Sequence, residues 1–245
     1  MRTEVEIIAE AGRSVRFAAT GAIVVRQTGR TAAHLVGNAT TPLGGDDIDI
    51  VVRVGAGAAL DLGSVAAMIA LPGREVTGST ARWHIDVGAG GRLRVDAQPT
   101  VVAGGADHHS EVTVDLHPDA TLDLHEYAQI GRYAPGFPDD DRGRWSGALR
   151  VDTADPAVPA GARPLLRHRV ALGPGSTVHP LGLRALATVF RYPDARAGAV
   201  DPQRYAARLA LAGDATLTTA LAPTVTQAGA FCDALDVATL AAQTS

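Results

Sequence analysis

Histidines and aspartates stand close together at one place in the sequence where they could bind a metal ion. His117 and His125 flank a turn, and Asp115 and Asp123 precede them by two residues each. If this segment forms a hairpin, the four side chains converge, and imidazole together with carboxylate suits Ni²⁺ or Zn²⁺. The spacing is not the compact His-x-x-x-His of a strong metal site, so plain surface residues remain the alternative.

A run of carboxylates follows a pair of glycines. Asp46, Asp47 and Asp49 come directly after Gly44 and Gly45, at the start of an alternating segment. One interpretation is turn chemistry, in which Asp closes the bend that the glycines allow. The other is functional, because carboxylate oxygens can act as weak ligands for a divalent ion that passes by. The sequence leaves both interpretations open.

A third polar segment contains two adjacent histidines. His108 and His109 follow Asp107, just after the Gly104-Gly105 turn. Neighbouring residues of a strand point to opposite faces, so these two imidazoles cannot easily share one metal ion in extended backbone. We therefore predict that this segment is a surface loop.

The composition excludes several kinds of catalysis. All 22 basic residues are arginine, so the chain has no lysine for a P-loop, a Schiff base or a general base. Cys232 is its single cysteine, which rules out an internal disulfide and a thiolate-rich metal site within one chain. The Gly-x-Ser-x-Gly motif of serine hydrolases is also missing. The sequence thus predicts a protein that is not an enzyme.

Net charge and hydropathy indicate which cellular compartment and which kinds of partner to expect. The formal net charge is -4, which gives no basic excess of the kind that binds nucleic acid. The first residues lack the basic and apolar regions of a secretory signal, and no stretch approaches ~18 consecutive apolar residues. We therefore expect a cytoplasmic protein with no membrane span and no nucleic-acid partner.

The elements that must position these residues are strands. Apolar and polar residues alternate with period two over residues 48–54, 92–96 and 111–116, which is typical of strands with one buried and one wet face. Five similar turns accompany them, each with two apolar residues six positions apart around a turn rich in Gly, Pro or Asp. These turns span Val54–Leu60, Val87–Leu93, Leu116–Leu122, Leu172–Val178 and Leu211–Leu217.

Helix is predicted only near the end of the chain. Asp201 and Pro202 have the types expected at the N-cap and first position of a helix. Residues 224–242 place apolar side chains near helical spacing, with Cys232 on the buried face. Residues 133–143 are rich in Pro and Asp and predict an exposed loop. The predicted fold is therefore mainly β: a layered β-sandwich or β-helical-like single domain over residues 1–245, with a small C-terminal helical part.

Four segments, taken in order, resemble the UreD/UreH family of urease accessory proteins. The segment 35–46 is similar to the family's Gly-Gly-Asp segment, and 96–106 to its Pro-Gln-Pro-Thr stretch. Residues 126–132 resemble its Gly-Arg motif, and 142–145 its later Gly-Arg-Trp. The resemblance covers roughly residues 20–235. It departs from the family at residues 62–67, where Ser64 alone stands for a Thr-Thr-Gln segment, and at 135–137, where a Gly-Glu pair is replaced.

The resemblance implies a function in urease maturation. A protein of this family is expected to bind apo-urease and the accessory proteins UreF and UreG, of which UreG is the GTPase. It is also expected to offer a water-filled route for Ni²⁺, with no tightly bound cofactor of its own. Together with the residues above, the resemblance gives seven candidates for such a route: Asp46, Asp47, Asp49, Ser64, His117, His125 and Glu126.

Two other functions remain possible alternatives from the sequence. A β-sandwich module that binds carbohydrate or mediates adhesion would expose aromatic platforms, but aromatic residues make up 4% of the chain. A metal-dependent hydrolase would use His117, His125 and the neighbouring aspartates, and would retain its metal and turn over substrate without partners.

Overall fold

The computed structural model describes residues 1–131, 142–154 and 161–243, with side chains described as far as residue 236 in the last helix. The strands are β1 (Arg2–Ala9), β2 (Arg16–Thr20), β3 (Ile23–Gln27), β4 (Ala32–Gly37), β5 (Asp47–Val54), β6 (Ala59–Ser64), β7 (Met68–Ala70), β8 (Gly78–Val87), β9 (Arg92–Asp96), β10 (Thr100–Val102), β11 (Asp107–Leu116), β12 (Thr121–Ile130), β13 (Arg144–Ala154), β14 (Ala162–Leu172), β15 (Ala185–Tyr192), β16 (Ala199–Asp201), β17 (Ala206–Leu211) and β18 (Ala215–Ala222). Two short 3₁₀ helices (His179–Leu181 and Pro202–Arg204) and the helix α1 (Val225–Gln243) complete the described elements.

The strands form two sheets that pack face to face. Sheet A has the order β14-β13-β11-β8-β5-β1-β2, and sheet B the order β16-β17-β18-β15-β12-β9-β6-β4-β3, with β7 and β10 joined to sheet B beside β12. Buried and exposed positions alternate along strands such as β5, β9 and β12, so that one face of each sheet is buried against the other. The predicted mainly β fold of many short strands with a C-terminal helix is confirmed.

The middle of the molecule is built like a β-helix. Strands β5, β8 and β11 run parallel in sheet A, and β6, β9 and β12 run parallel in sheet B. Each of the three connecting turns carries the chain from sheet A to sheet B, and the turns stack on one another. The Gly57 N–H donates to the Ala89 carbonyl at 2.8 Å, and the Thr121 N–H to the Gly91 carbonyl at 2.8 Å.

Four of the five predicted turns share a backbone conformation, but the five turns connect the strands in different ways. The fourth residue of four of them has a positive φ: Gly57 (64°), Gly90 (63°), Gly175 (93°) and Asp214 (54°). Glycine has no Cβ to clash in this region and Asp tolerates it, whereas Asp119 in the remaining turn is not among the residues with positive φ. The last two turns are built differently: the one at Leu172 leads from β14 of sheet A into a 3₁₀ helix before the chain enters sheet B, and the one at Leu211 closes the antiparallel pair β17–β18.

One arrangement that the sequence left open does not occur, and one local prediction is wrong. The segment between His117 and His125 is not a hairpin, because β11 lies in sheet A and β12 in sheet B, and the turn between them is a corner of the β-helix. The segment with His108 and His109 is not a surface loop either, since it forms the first part of β11. The strand continues further toward its N-terminus than the alternating pattern indicated, and it points His108 inward and His109 outward.

The helical predictions hold with one change. Helix α1 begins one residue after Thr224, whose carbonyl accepts a hydrogen bond from the Ala228 N–H at 3.0 Å. Cys232 is buried, as predicted, where α1 packs on the outer face of sheet B. Asp201 caps a helix as predicted, but a 3₁₀ helix, by accepting from the N–H groups of Gln203 and Arg204. Of the predicted loop 133–143, residues 133–141 lie outside the described residues.

Candidate functional site

A polar layer interrupts the apolar interior between the two sheets. On the inner face of β11, His108 and Ser110 lie between Ala106 and Val112, which belong to two separate hydrophobic clusters. On the facing strand β12, Glu126 occupies the corresponding place between Leu124 of the larger cluster and Ala128 of the smaller one. The interior of the molecule is therefore two apolar cores with polar side chains between them.

A cavity of about 690 Å³ lies at this layer. Its walls are largely apolar, and Trp83 and Met68 contribute to them. The polar side chains of His108, Ser110 and Glu126 border the same space. Water, or a hydrated ion, therefore meets only a small number of polar groups inside.

The cavity reaches the surface through a break in sheet B. Strand β6 ends at Ser64 and its continuation β7 begins at Met68, while β9 ends at Asp96 and its continuation β10 begins at Thr100. Because β6 pairs with β9 and β7 with β10, the two breaks lie side by side. Residues 65–67, 97 and 98 line the cavity here, and Val65 is 64% exposed. We call this opening, formed by residues 64–68 and 97–100, the window.

Ser64 ties the two sides of the window together. Its hydroxyl oxygen accepts a hydrogen bond from the Gln98 N–H at 2.8 Å and donates to the Ala66 carbonyl at 3.3 Å. One bond thus crosses between the two interrupted strands, and the other fixes the chain just after the end of β6. The side chain therefore shapes the rim of the opening.

Glu126 is the carboxyl group inside the cavity. The Ser110 hydroxyl donates to its Oε1 at 2.7 Å. Burial raises the pKa of Glu126 to about 7, against a smaller lowering effect of the Ser110 hydrogen bond. Among the described residues no arginine or histidine forms an ion pair with it. Near neutral pH, Glu126 can therefore release its proton and offer a carboxylate to a cation.

The other polar side chains of the layer are neutral. His108 is 1% exposed, and its Nδ1 lies 2.9 Å from the Ser79 hydroxyl oxygen. Burial, together with the neighbouring His109, lowers the pKa of His108 to about 4, so it is uncharged at neutral pH. Thr188 lies opposite Glu126 on β15 and is buried, and its hydroxyl has no hydrogen-bond partner in the described part of the chain. The layer thus contributes weak ligands and no fixed positive charge.

The outer face of the same strand is organised differently. His125 Nε2 lies 3.0 Å from Asp123 Oδ1, and Arg191 Nε lies 3.2 Å from that same oxygen. Burial alone would raise the pKa of Asp123, but His125, Arg191 and Arg94 outweigh it and hold the pKa below its usual value. Arg191 also contacts Asp236 of α1 at 2.8 Å. This network joins the helix to sheet B.

The predicted site residues are distributed over several parts of the molecule. Ser64 and Glu126 both border the cavity. His125 also borders the cavity, and its Nδ1 lies 2.9 Å from the Tyr127 hydroxyl oxygen. His117 is exposed in the turn after β11, where the Asp119 N–H donates to its Nδ1 at 3.2 Å.

The three aspartates of the Gly-Gly-Asp segment do not face the cavity. Asp46 is buried and accepts from the Leu43 N–H at 2.9 Å, which agrees with turn chemistry. Burial raises its pKa, but the contact with the terminal ammonium and the hydrogen bonds outweigh burial and lower it. Asp47 and Asp49 lie on the outer face of sheet A, where Arg82 contacts them at 3.1 and 3.3 Å.

The sequence analysis missed His108, Ser110, Ser79 and Thr188. A signal for the first two was present, because extending the alternation of residues 111–116 backwards places 108 and 110 on the inner face. Over the ranges that the structure describes, no group of three or more His, Cys, Asp or Glu side chains is placed to hold a metal ion. Within the same ranges, no helix is both long enough and apolar enough to cross a membrane.

Comparison with known proteins identifies the family. The model of the UreD urease accessory protein family matches residues 10–242. Urease accessory protein UreD 1 of Saccharopolyspora erythraea is 41% identical over 161 residues, which cover 66% of this chain and 55% of the relative. Urease accessory protein UreD of Frankia alni is 39% identical over 207 residues, which cover 77% of this chain and 67% of the relative.

A third relative is aligned over more of its length. Urease accessory protein UreD of Streptomyces coelicolor is 32% identical over 219 residues, which cover 83% of this chain and 81% of the relative. The match to the Saccharopolyspora protein, by contrast, spans about half of that relative. Because the family model covers nearly the whole sequence, this chain belongs to the UreD family of urease accessory proteins.

Proposed function

We propose that this chain is a non-enzymatic urease maturation protein of the cytoplasm. In this proposal it binds apo-urease and, together with UreF and the GTPase UreG, supports delivery of nickel to the urease active site. The names of its relatives, all urease accessory proteins, support the process. The absence of lysine from the chain agrees with a division of labour in which a partner hydrolyses the nucleotide.

The proposed route for Ni²⁺ is the cavity between the sheets. The observation that carries this proposal is Glu126, a carboxyl group inside the cavity whose only described hydrogen bond comes from Ser110. On the outer face of the same strand, by contrast, the carboxylate of Asp123 is paired with Arg191. Glu126 is only partly exposed, and a carboxylate held largely out of water without a cation is costly unless it serves a ligand. A divalent cation is the ligand that its charge and position favour.

The weakness of the site suits passage rather than storage. A structural metal site uses three or four protein ligands and holds its ion tightly. Here one carboxylate is accompanied by hydroxyl groups, among them those of Ser110 and Thr188. Such groups can replace a few waters of a hydrated ion without closing around it. Nickel is thus cargo in this proposal, and the protein keeps no metal of its own.

The proposed entrance or exit is the window. It is bordered by Ser64, whose two hydrogen bonds, to the Gln98 N–H and the Ala66 carbonyl, shape its rim. Exposed apolar side chains, including Val65 and Ile69, lie beside it. An exposed apolar rim is suited to contact with another protein that continues the route.

The proposal is tested by activating apo-urease with its other accessory proteins and nickel, with and without this chain. We expect urease activity to rise only slowly and incompletely without the chain. Equal activity in both reactions would show that the chain has no part in maturation. A parallel reaction with the chain alone, without urease, serves as a control for hydrolytic activity of its own.

A further inference from the structure

Strand β14 is an open edge of sheet A. It is the last strand in the sheet order and, of the strands that the structure describes, it pairs only with β13. One row of its backbone N–H and C=O groups therefore points away from the sheet. Such an edge can accept an additional strand, and proteins use this for docking extended segments of partners.

The outer face beside this edge carries two arginines that form no ion pair with a described residue. Arg150 on β13 lies opposite Arg167 on β14, and Arg169 follows two residues later on the same face. Arg167 contacts Asp152 at 2.6 Å, but Arg150 and Arg169 form no ion pair with a described residue. All three are exposed. Like charges on neighbouring positions repel each other, so this strip favours a negatively charged partner.

In the opposite half of sheet A, at β1, β5 and β8, the arginines are paired with acidic residues. Arg82 on β8 is paired with Asp47 and Asp49. Arg53 on β5 is likewise paired with Glu6 on β1. Arginines in that half thus form ion pairs, whereas Arg150 and Arg169 near β14 form none with a described residue.

The inner side of the same edge is apolar and uncovered. Sheet B extends beyond β14 through β17 and β16. Leu209 of β17 pairs with Leu217 of β18, so both side chains point to the inner face of sheet B. Leu217 is fully buried there, whereas Leu209 is 45% exposed. Val200 lies opposite Ala207 on the next strand and is 72% exposed. This apolar ledge, formed by Leu209 and Val200, lies where a strand added to β14 would pack.

We propose that the β14 edge docks an extended segment of a partner protein in which acidic and apolar residues alternate. Side chains of a strand point alternately to its two faces. The acidic residues would face Arg150, Arg167 and Arg169 on the outside, and the apolar residues would cover the ledge on the inside. The two faces of the edge thus require different chemistry at alternate positions. The inference does not depend on nickel.

The test uses the full-length protein and two fluorescent peptides of equal composition. One alternates glutamate and valine over eight residues, and the other carries four glutamates followed by four valines. We expect the alternating peptide to bind roughly tenfold more tightly in fluorescence anisotropy, because only it satisfies both faces. Hydrogen exchange of β14 amides should slow when it binds. Equal affinity of the two peptides would overturn the proposal.

Substitutions on the outer and the inner side of the β14 edge measure the two contributions to peptide binding separately. The double substitution Arg150→Glu and Arg169→Glu should weaken binding about tenfold and reduce its dependence on salt. The matched pair Arg26→Glu and Arg30→Glu, exposed residues near β3, should leave it unchanged. Leu209→Ser should weaken binding and keep the salt dependence. Binding of single-stranded DNA as tight as that of the alternating peptide, or self-association of the free chain through Leu209, would contradict this occupant.

Discussion

Strand β12 carries a carboxyl group on each of its two faces, and the two groups have opposite electrostatic surroundings. On the outer face, Asp123 is contacted by His125 and Arg191, and its pKa is held below the usual value. Three residues later and on the inner face, Glu126 has only the Ser110 hydroxyl, and burial raises its pKa to about 7. The same strand therefore carries one carboxyl group with cationic neighbours and one without.

This difference in surroundings indicates a structural role for Asp123 and a ligand-binding role for Glu126. The outer carboxylate is part of a network that joins α1 to sheet B through Arg191 and Asp236. The inner group destabilises the fold when it is ionised, because no cation of the described residues balances it. A group that is retained at a cost to stability is a candidate for binding, which is why Glu126 carries the proposed nickel route.

The largest expected effect on stability comes from Glu126→Gln. The pKa of Glu126 is 4.5 without perturbation and about 7 in the folded protein. Because the folded pKa is raised, stability is fully present below about pH 4.5 and is lost as pH rises through 7. The variant lacks this loss, so at pH 8 it should be more stable than the wild type by up to about 3 kcal/mol. Urea denaturation at pH 5 and pH 8 measures the difference.

The comparison at two pH values removes other contributions. His108 also titrates differently in the folded and unfolded protein, since its pKa is lowered to about 4. That contribution is the same in wild type and variant and cancels between them. A difference that does not change between pH 5 and pH 8 would mean that Glu126 is compensated by a group outside the described residues.

A smaller effect of opposite sign is expected at the outer face. Asp123→Asn should destabilise the protein by about 1–2 kcal/mol at pH 7, because it weakens the contacts to His125 and Arg191 while Arg191 keeps Asp236. The folded pKa of Asp123 is lowered, so this stability is present above its unfolded pKa and is lost as pH falls through the folded value. Glu111→Gln, at an exposed position of β11, is the control. A stabilised Asp123→Asn variant would remove the distinction between the two faces.

The fold could be predicted in its local parts. Residues 92–96 form a strand with the predicted bounds, and α1 begins within a residue of its predicted start, because alternation and helical spacing report local burial. The arrangement of the sheets could not be predicted in the same way. The turns at Val54, Val87 and Leu116 link two sheets, whereas the similar turn at Leu211 closes a hairpin. Turn chemistry specifies a bend and not the sheet to which the next strand belongs.

The candidate site could be predicted only in part for the same reason. Ser64, His125 and Glu126 border the cavity, and of these Ser64 and Glu126 are indicated only by the family resemblance. Asp47 and Asp49 are near Glu126 in neither sequence nor space, because their strand turns them to the outer face of sheet A. The break between β6 and β7, which opens the window, has no signature in the sequence of either strand, since it depends on the neighbouring break after Asp96.

The most direct test of the central claim compares nickel incorporation by three forms of the protein. Apo-urease is activated with its accessory proteins and wild-type chain, Glu126→Gln or the control Glu111→Gln, and urease-bound nickel is measured by atomic absorption. We predict several-fold less nickel with Glu126→Gln and no change with Glu111→Gln, although Glu126→Gln is expected to be the more stable protein above neutral pH. Wild-type nickel incorporation with Glu126→Gln would contradict a route past this carboxylate.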